Sequence, residues 1–158
     1  MAQTAITRSD DRIDALRDTI SELLSMDEPR KRFGAMICGL DICYDLGEGH
    51  PLLGRRMPDL DLSGSRGPIR VYTLLHGARP VLINFGQPET FEITGWANRV
   101  QVVDARFDGV WELPVLGPVE SPGAVLVRPD GHVAWVGDEE HGGLYDALEK
   151  WFGAPDEP

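Results

Sequence analysis

Ala124-Val-Leu-Val-Arg-Pro-Asp-Gly-His-Val-Ala-Trp-Val136 reads as a β-hairpin. Two apolar runs flank Pro129-Asp-Gly-His132, and Asp-Gly is a dipeptide that turns tightly because Gly accepts φ > 0. Upstream, Val81-Leu-Ile-Asn-Phe85 is a short apolar run of the kind that a buried strand requires. The spacing predicts a helix over about 88–97 and a second strand over Arg99–Ala105. Residues 106–123 are broken by prolines and glycines and read as loop. Leu144, Leu148, Trp151 and Phe152 mark a closing amphipathic helix.

From residue 70 onward the order is β-α-β-loop-β-β-α, an α/β unit followed by a hairpin. This is the element order of a thioredoxin-like domain, placed at 69–153, with a right-handed βαβ crossover. Pro122 precedes the third strand, near where such domains carry a cis-proline. Ahead of it lie two amphipathic helices at 9–41. Ser9 or Asp10 caps the first, on which Ile13, Leu16, Ile20, Leu23 and Leu24 share one face. Asp27 is expected to cap the second, and Gly39 to end it. Residues 42–68 form an extended arm, punctuated by Gly47, Gly49, Gly54, Pro51 and Pro58 and anchored by apolar side chains. Residues 1–8 read as disordered and 154–158 as a polar tail.

Composition narrows the function classes. The chain has 158 residues and a formal net charge of −11. An acidic chain without a basic face excludes nucleic acid and anionic lipid as partners. No apolar run approaches the ~18 residues of a membrane span. Two cysteines are too few for a secreted disulfide framework, so the expected location is cytoplasmic.

The chemistry-bearing residues are few. Cys38 and Cys43 lie five apart and ahead of the thioredoxin-like part, so they read as inert or buried thiols. Where a thioredoxin carries its cysteines this chain has Asn84-Phe-Gly-Gln-Pro88, so disulfide exchange is excluded. Asp130, His132, Glu139, Glu140 and His141 crowd one region, but a turn and a solvated acidic loop account for them, and no metal site is assigned. His50 is expected to bond a backbone group, and Arg55 and Arg56 to meet acidic groups in the arm or on a partner. The candidate interaction residues are Tyr44, His50, Leu52, Leu53, Arg55, Arg56 and Trp111, the last read as an exposed anchor. No catalytic residue is assigned.

Three motifs stand in order: His50-Pro-Leu-Leu-Gly-Arg-Arg-Met-Pro-Asp59, Leu74-Leu-His-Gly-Ala-Arg-Pro-Val-Leu-Ile-Asn-Phe-Gly86 and Val127-Arg-Pro-Asp-Gly-His-Val-Ala-Trp-Val-Gly137. Together they resemble the C-terminal part of FAD-dependent aromatic-ring hydroxylases, above all those acting on aromatic polyketides. Upstream, Ala15-Leu-Arg17 and Met36-Ile-Cys-Gly-Leu-Asp41 resemble the end of that family's flavin and substrate portion. The resemblance covers about residues 12–153 and implies a thioredoxin-like, structural terminal domain. The family's flavin machinery lies upstream of this region. No G-x-G-x-x-G occurs here, so no FAD-binding residue is carried over. The resemblance implies a stand-alone, non-catalytic relative that associates with itself as a homodimer or with a flavin hydroxylase in polyketide tailoring. Two alternatives are a fragment or split component of an FAD-dependent monooxygenase, and a small-ligand-binding module with a pocket between arm and sheet.

Overall fold

The computed structural model describes residues 11–137 and 142–156. The N-terminal segment 1–8, the caps Ser9 and Asp10, and Glu139, Glu140 and His141 lie outside the described residues. The chain divides into two units between Asp41 and Ile42.

Among its described residues the first unit holds two helices, α1 (Asp11–Ser25) and α2 (Asp27–Cys38). Met26, and not Asp27, occupies the N-cap of α2. Asp27 sits instead in the first turn, where its charge suits the helix N-terminus and it pairs with Arg30. Gly39 closes α2 at φ 66°, a left-handed conformation that its missing Cβ allows. Cys38 and Cys43 are both exposed free thiols, which corrects the buried reading.

The second unit is built on one mixed sheet. In chain order it contains β1 (Asp61–Gly64), β2 (Gly67–Arg70), the short helix α3 (Val71–Leu74), β3 (Val81–Asn84) and β4 (Gln101–Arg106). A two-stranded ribbon follows, β5 (Glu112–Leu113) with β6 (Gly117–Pro118), and then β7 (Ala124–Val127), β8 (Val133–Gly137) and α4 (Leu144–Phe152). The sheet runs β2-β1-β4-β3-β7-β8. β3 and β4 are parallel, while β7 pairs antiparallel with both β3 and β8.

The mixed α/β class is as expected, and the thioredoxin-like reading fits the four strands β4, β3, β7 and β8. The helix order does not follow it. The predicted helix at 88–97 is an irregular crossover with one 3₁₀ turn, Thr94–Trp96. Asn84 explains the difference. It is buried, and its amide donates to Gln87 C=O and Asp104 Oδ1 at 2.6 Å each while its oxygen accepts from Gly86 N–H. Those bonds hold the chain in a turn where a helix would start. All peptide bonds among the described residues are trans, Pro122 included.

Both faces of the sheet are buried, as the alternation of its strands dictates. Leu82, Ala124 and Leu126 face Leu144 and Leu148 of α4 together with Trp96 and Trp135. Val81, Ile83, Val125, Val127 and Val133 face the opposite way and have no long helix to cover them. The arm does so instead. Leu52 and Met57 are fully buried in that second cluster, and Trp111 joins them at 3% exposure. The Trp111 ring packs edge-on against Phe85 and Phe107, so it is core and not an exposed anchor.

Leu52→Ala should cost about 2–5 kcal/mol, the range for a large-to-small change in a packed core. Urea denaturation measures it, and a loss below about 1 kcal/mol would mean that the arm is dispensable to the fold.

Candidate functional site

The polar and aromatic residues singled out in the arm converge on the outer edge of β8. Gly54 N–H donates to Val133 C=O at 2.9 Å, Val133 N–H to Arg55 C=O at 2.8 Å, and Met57 N–H to Gly131 C=O at 2.8 Å. The arm thus satisfies a sheet edge that would otherwise be open. It also folds on itself, with Tyr44 N–H bonded to Gly54 C=O at 3.0 Å. Gly54 makes this approach feasible. It sits at φ 76°, and a Cβ there would stand 2.1 Å from the Tyr44 carbonyl oxygen.

Side chains lock the same edge. The Arg128 guanidinium lies over the Tyr44 ring at 5.2 Å and over Trp151 at 4.3 Å, tying arm, hairpin and α4 together. Arg128 also pairs with Asp130. Tyr44 meets the His132 ring edge-on at 4.9 Å. His132 is buried, with Nδ1 3.5 Å from Asp130 Oδ2 and neither ring nitrogen hydrogen-bonded among the described residues.

His50 has both nitrogens in use. Nδ1 accepts from Leu52 N–H at 3.1 Å, which leaves the proton on Nε2 to be donated to Glu120 C=O at 2.9 Å. Arg55 and Arg56 form no ion pair with a described residue of the arm. Arg56 lies instead beside Tyr72, whose hydroxyl pKa is pushed up by burial and partly held back by that cation. The Tyr72 hydroxyl donates to Met57 C=O at 3.0 Å. Leu53 lines a groove of about 320 Å³ between arm, β8 and α4, with Glu48, His50, Trp135, Asp146 and Lys150 also in its wall.

Three positioning residues escaped the sequence reading. Asp59 accepts from Arg70 Nε at 2.6 Å and from Tyr72 N–H at 3.0 Å. Asp104 is Asn84's partner across the parallel pair β3–β4. Arg99 donates to the carbonyls of Phe152, Gly95 and Ala154, so a cation caps the C-terminal end of α4. None of the three carries a local signal in the sequence, since each meets partners ten or more residues away.

The family described as aromatic-ring hydroxylase, C-terminal, matches residues 50–155. The chain belongs to that family. A 12-dehydrotetracycline 5-monooxygenase/anhydrotetracycline 6-monooxygenase from Streptomyces rimosus is 40% identical over 98% of this chain and 31% of its own length. A dialkyldecalin synthase from Streptomyces rugosporus is 34% identical over 96% of the chain and 27% of its own length. The crystal structure of CabE, an aromatic hydroxylase from angucycline biosynthesis, aligns at a TM-score of 0.75 and 42% identity. It is matched over 93% of this chain and 30% of its own. The chain therefore spans about a third of the length of its relatives, in their C-terminal part. No helix among the described residues is long and apolar enough to cross a membrane.

Burial raises the Asp130 carboxyl pKa, but the His132 N–H bond and the Arg128 and His132 charges outweigh it, leaving the group below its ordinary 3.8. A depressed carboxyl adds stability that is present above its unfolded pKa and lost as pH falls through the folded one. Asp130→Asn should therefore lose less stability than wild type between neutral pH and about pH 3, read from urea midpoints. Superimposable acid limbs would show that this carboxylate does not hold the turn.

Proposed function

We propose that this chain is the non-catalytic C-terminal module of an aromatic-ring hydroxylase of polyketide tailoring, acting by association and not by chemistry. The observation that carries this reading is where its polar side chains are spent. A general base or acid needs an atom free to face the substrate. His50 bonds backbone through both nitrogens, Asp59 accepts through both oxygens, and Asn84 and Asp104 hold each other and a turn. These groups are committed to the chain's own fold.

The relatives support it. The same region recurs in a protein named as a monooxygenase and in one named as a synthase. A segment shared by enzymes of different reaction fits a role in assembly better than a role in either reaction.

FAD, which the resemblance implies for the whole enzyme, does not fit the residues present. The groove between arm and α4 sets two carboxylates, Glu48 and Asp146, against one ammonium, Lys150, and this acidic balance disfavours a diphosphate. Flavin binding belongs in this reading to the part of the enzyme that precedes the matched segment.

Titrating the purified chain into FAD should leave flavin fluorescence unchanged at micromolar concentrations of both. Saturable quenching at a stoichiometry of one would overturn the non-catalytic reading and favour a flavin-holding component of a split monooxygenase.

A further inference from the structure

The groove between the arm, β8 and α4 has a volume of about 320 Å³, within the range of small-molecule sites. Four large apolar side chains stand in its wall: Leu46 and Leu53 from the arm, Trp135 from β8 and Trp151 from α4. His50 lines it too, but both its nitrogens are spent on backbone groups. Trp135 likewise gives its indole N–H to Gly142 C=O at 2.7 Å. Two carboxylates in the same wall are not spent in this way. Glu48 and Asp146 are exposed and enter no ion pair or hydrogen bond among the described residues.

These two groups reach the groove from distant parts of the chain. Glu48 follows a turn in which Gly47 N–H donates to Asp45 Oδ1 at 3.3 Å, and Asp146 sits in the first turn of α4. Asp146 has a use within the fold, since a carboxylate suits a helix N-terminus. Glu48 has no such use. Like charges on one small groove repel each other, and a single ammonium, Lys150, stands against both. The wall is therefore one positive charge short of balance.

Its aromatic part favours the same sign of charge. The face of an indole ring is electron-rich and attracts cations. Trp151 already has two beside it, with the Arg128 guanidinium 4.3 Å and the Lys150 ammonium 5.7 Å from its ring centre. A metal ion does not suit the donor set. Calcium takes about six to eight oxygens, and among the described residues no three His, Cys, Asp or Glu side chains gather to hold a metal. We propose that this groove binds a small organic cation, an ammonium carried on an apolar or aromatic body. The ammonium faces the carboxylates of Glu48 and Asp146, and the body lies against Leu53, Trp135 and Trp151. Such binding goes beyond the role in association proposed above and does not depend on it.

Phenethylamine is the probe, titrated into the full chain and followed by two-dimensional NMR. The indole N–H signals of Trp135 and Trp151 and the amides of Gly142 and Gly143 should move together, with a dissociation constant of about 1 mM or tighter. Glu48→Gln should weaken binding about tenfold. Glu112→Gln, the same change of charge on β5, should bind as wild type does. Phenylethanol, which keeps the body and replaces the ammonium by a hydroxyl, should bind about tenfold more weakly or worse. Equal binding of the alcohol would overturn the proposal by showing an apolar cleft that does not read charge. Equal weakening in Glu48→Gln and Glu112→Gln would overturn it too, because the amine would then be answering the acidity of the whole chain. So would signals that stay in place throughout the titration.

Discussion

A sheet buried on both faces needs two covers, and the second unit has only one helix long enough to serve. α4 seals the face carrying Leu82 and Leu126. The face carrying Val81, Ile83, Val125 and Val127 is sealed by irregular chain: Leu52 and Met57 of the arm, Val71 of α3, and Trp111 and Leu113 of the ribbon loop. Irregular chain can do this only if its own backbone groups find partners. The bonds from Gly54, Arg55 and Met57 to Gly131 and Val133 supply them at the β8 edge. Much of the second unit follows from that requirement. Gly54 must lack a Cβ, Asp59 must hold Tyr72, and Arg128 must bridge the arm to α4.

This constraint explains which parts of the fold were legible in the sequence. β3, β7 and β8 are short apolar runs with both faces buried, so composition alone marks them. α4 has a clear apolar stripe and a fixed end. The crossover after β3 misled, because Asn84 and Asp104 are twenty residues apart in sequence and their pairing is set by the parallel register of β3 and β4. Nothing local announces it. Trp111 misled for a related reason. Its neighbours look like loop, and only the packing of Phe85 and Phe107 around it reveals a core residue.

The arm residues divide the same way. His50-Pro-Leu52 carries its own logic, since a histidine two residues before a buried leucine can accept that leucine's N–H. Its second bond, to Glu120, comes from seventy residues away and required the structure. Arg56 looked like a cation awaiting an acid, yet its neighbour is the Tyr72 phenol. Arg128 carries no local signal, because its partners Tyr44 and Trp151 lie far from it in the chain.

These long-range ties bear on how the chain acts. Each polar group that fixes the arm is one fewer group free to meet a substrate, and the arm consumes His50, Asp59 and Arg128 together. In the second unit the β8 edge is therefore paired by the arm, and both faces of β3 and β7 are covered. The helical hairpin does the opposite: three of its cations pair within their own helix and its apolar rows stay open. A water-exposed row of Leu, Ile, Phe and Met is unfavourable by roughly 25 cal/mol for each Å² left uncovered. The rows on α1 and α2 carry that cost in full, whereas the apolar runs of β3 and β7 do not.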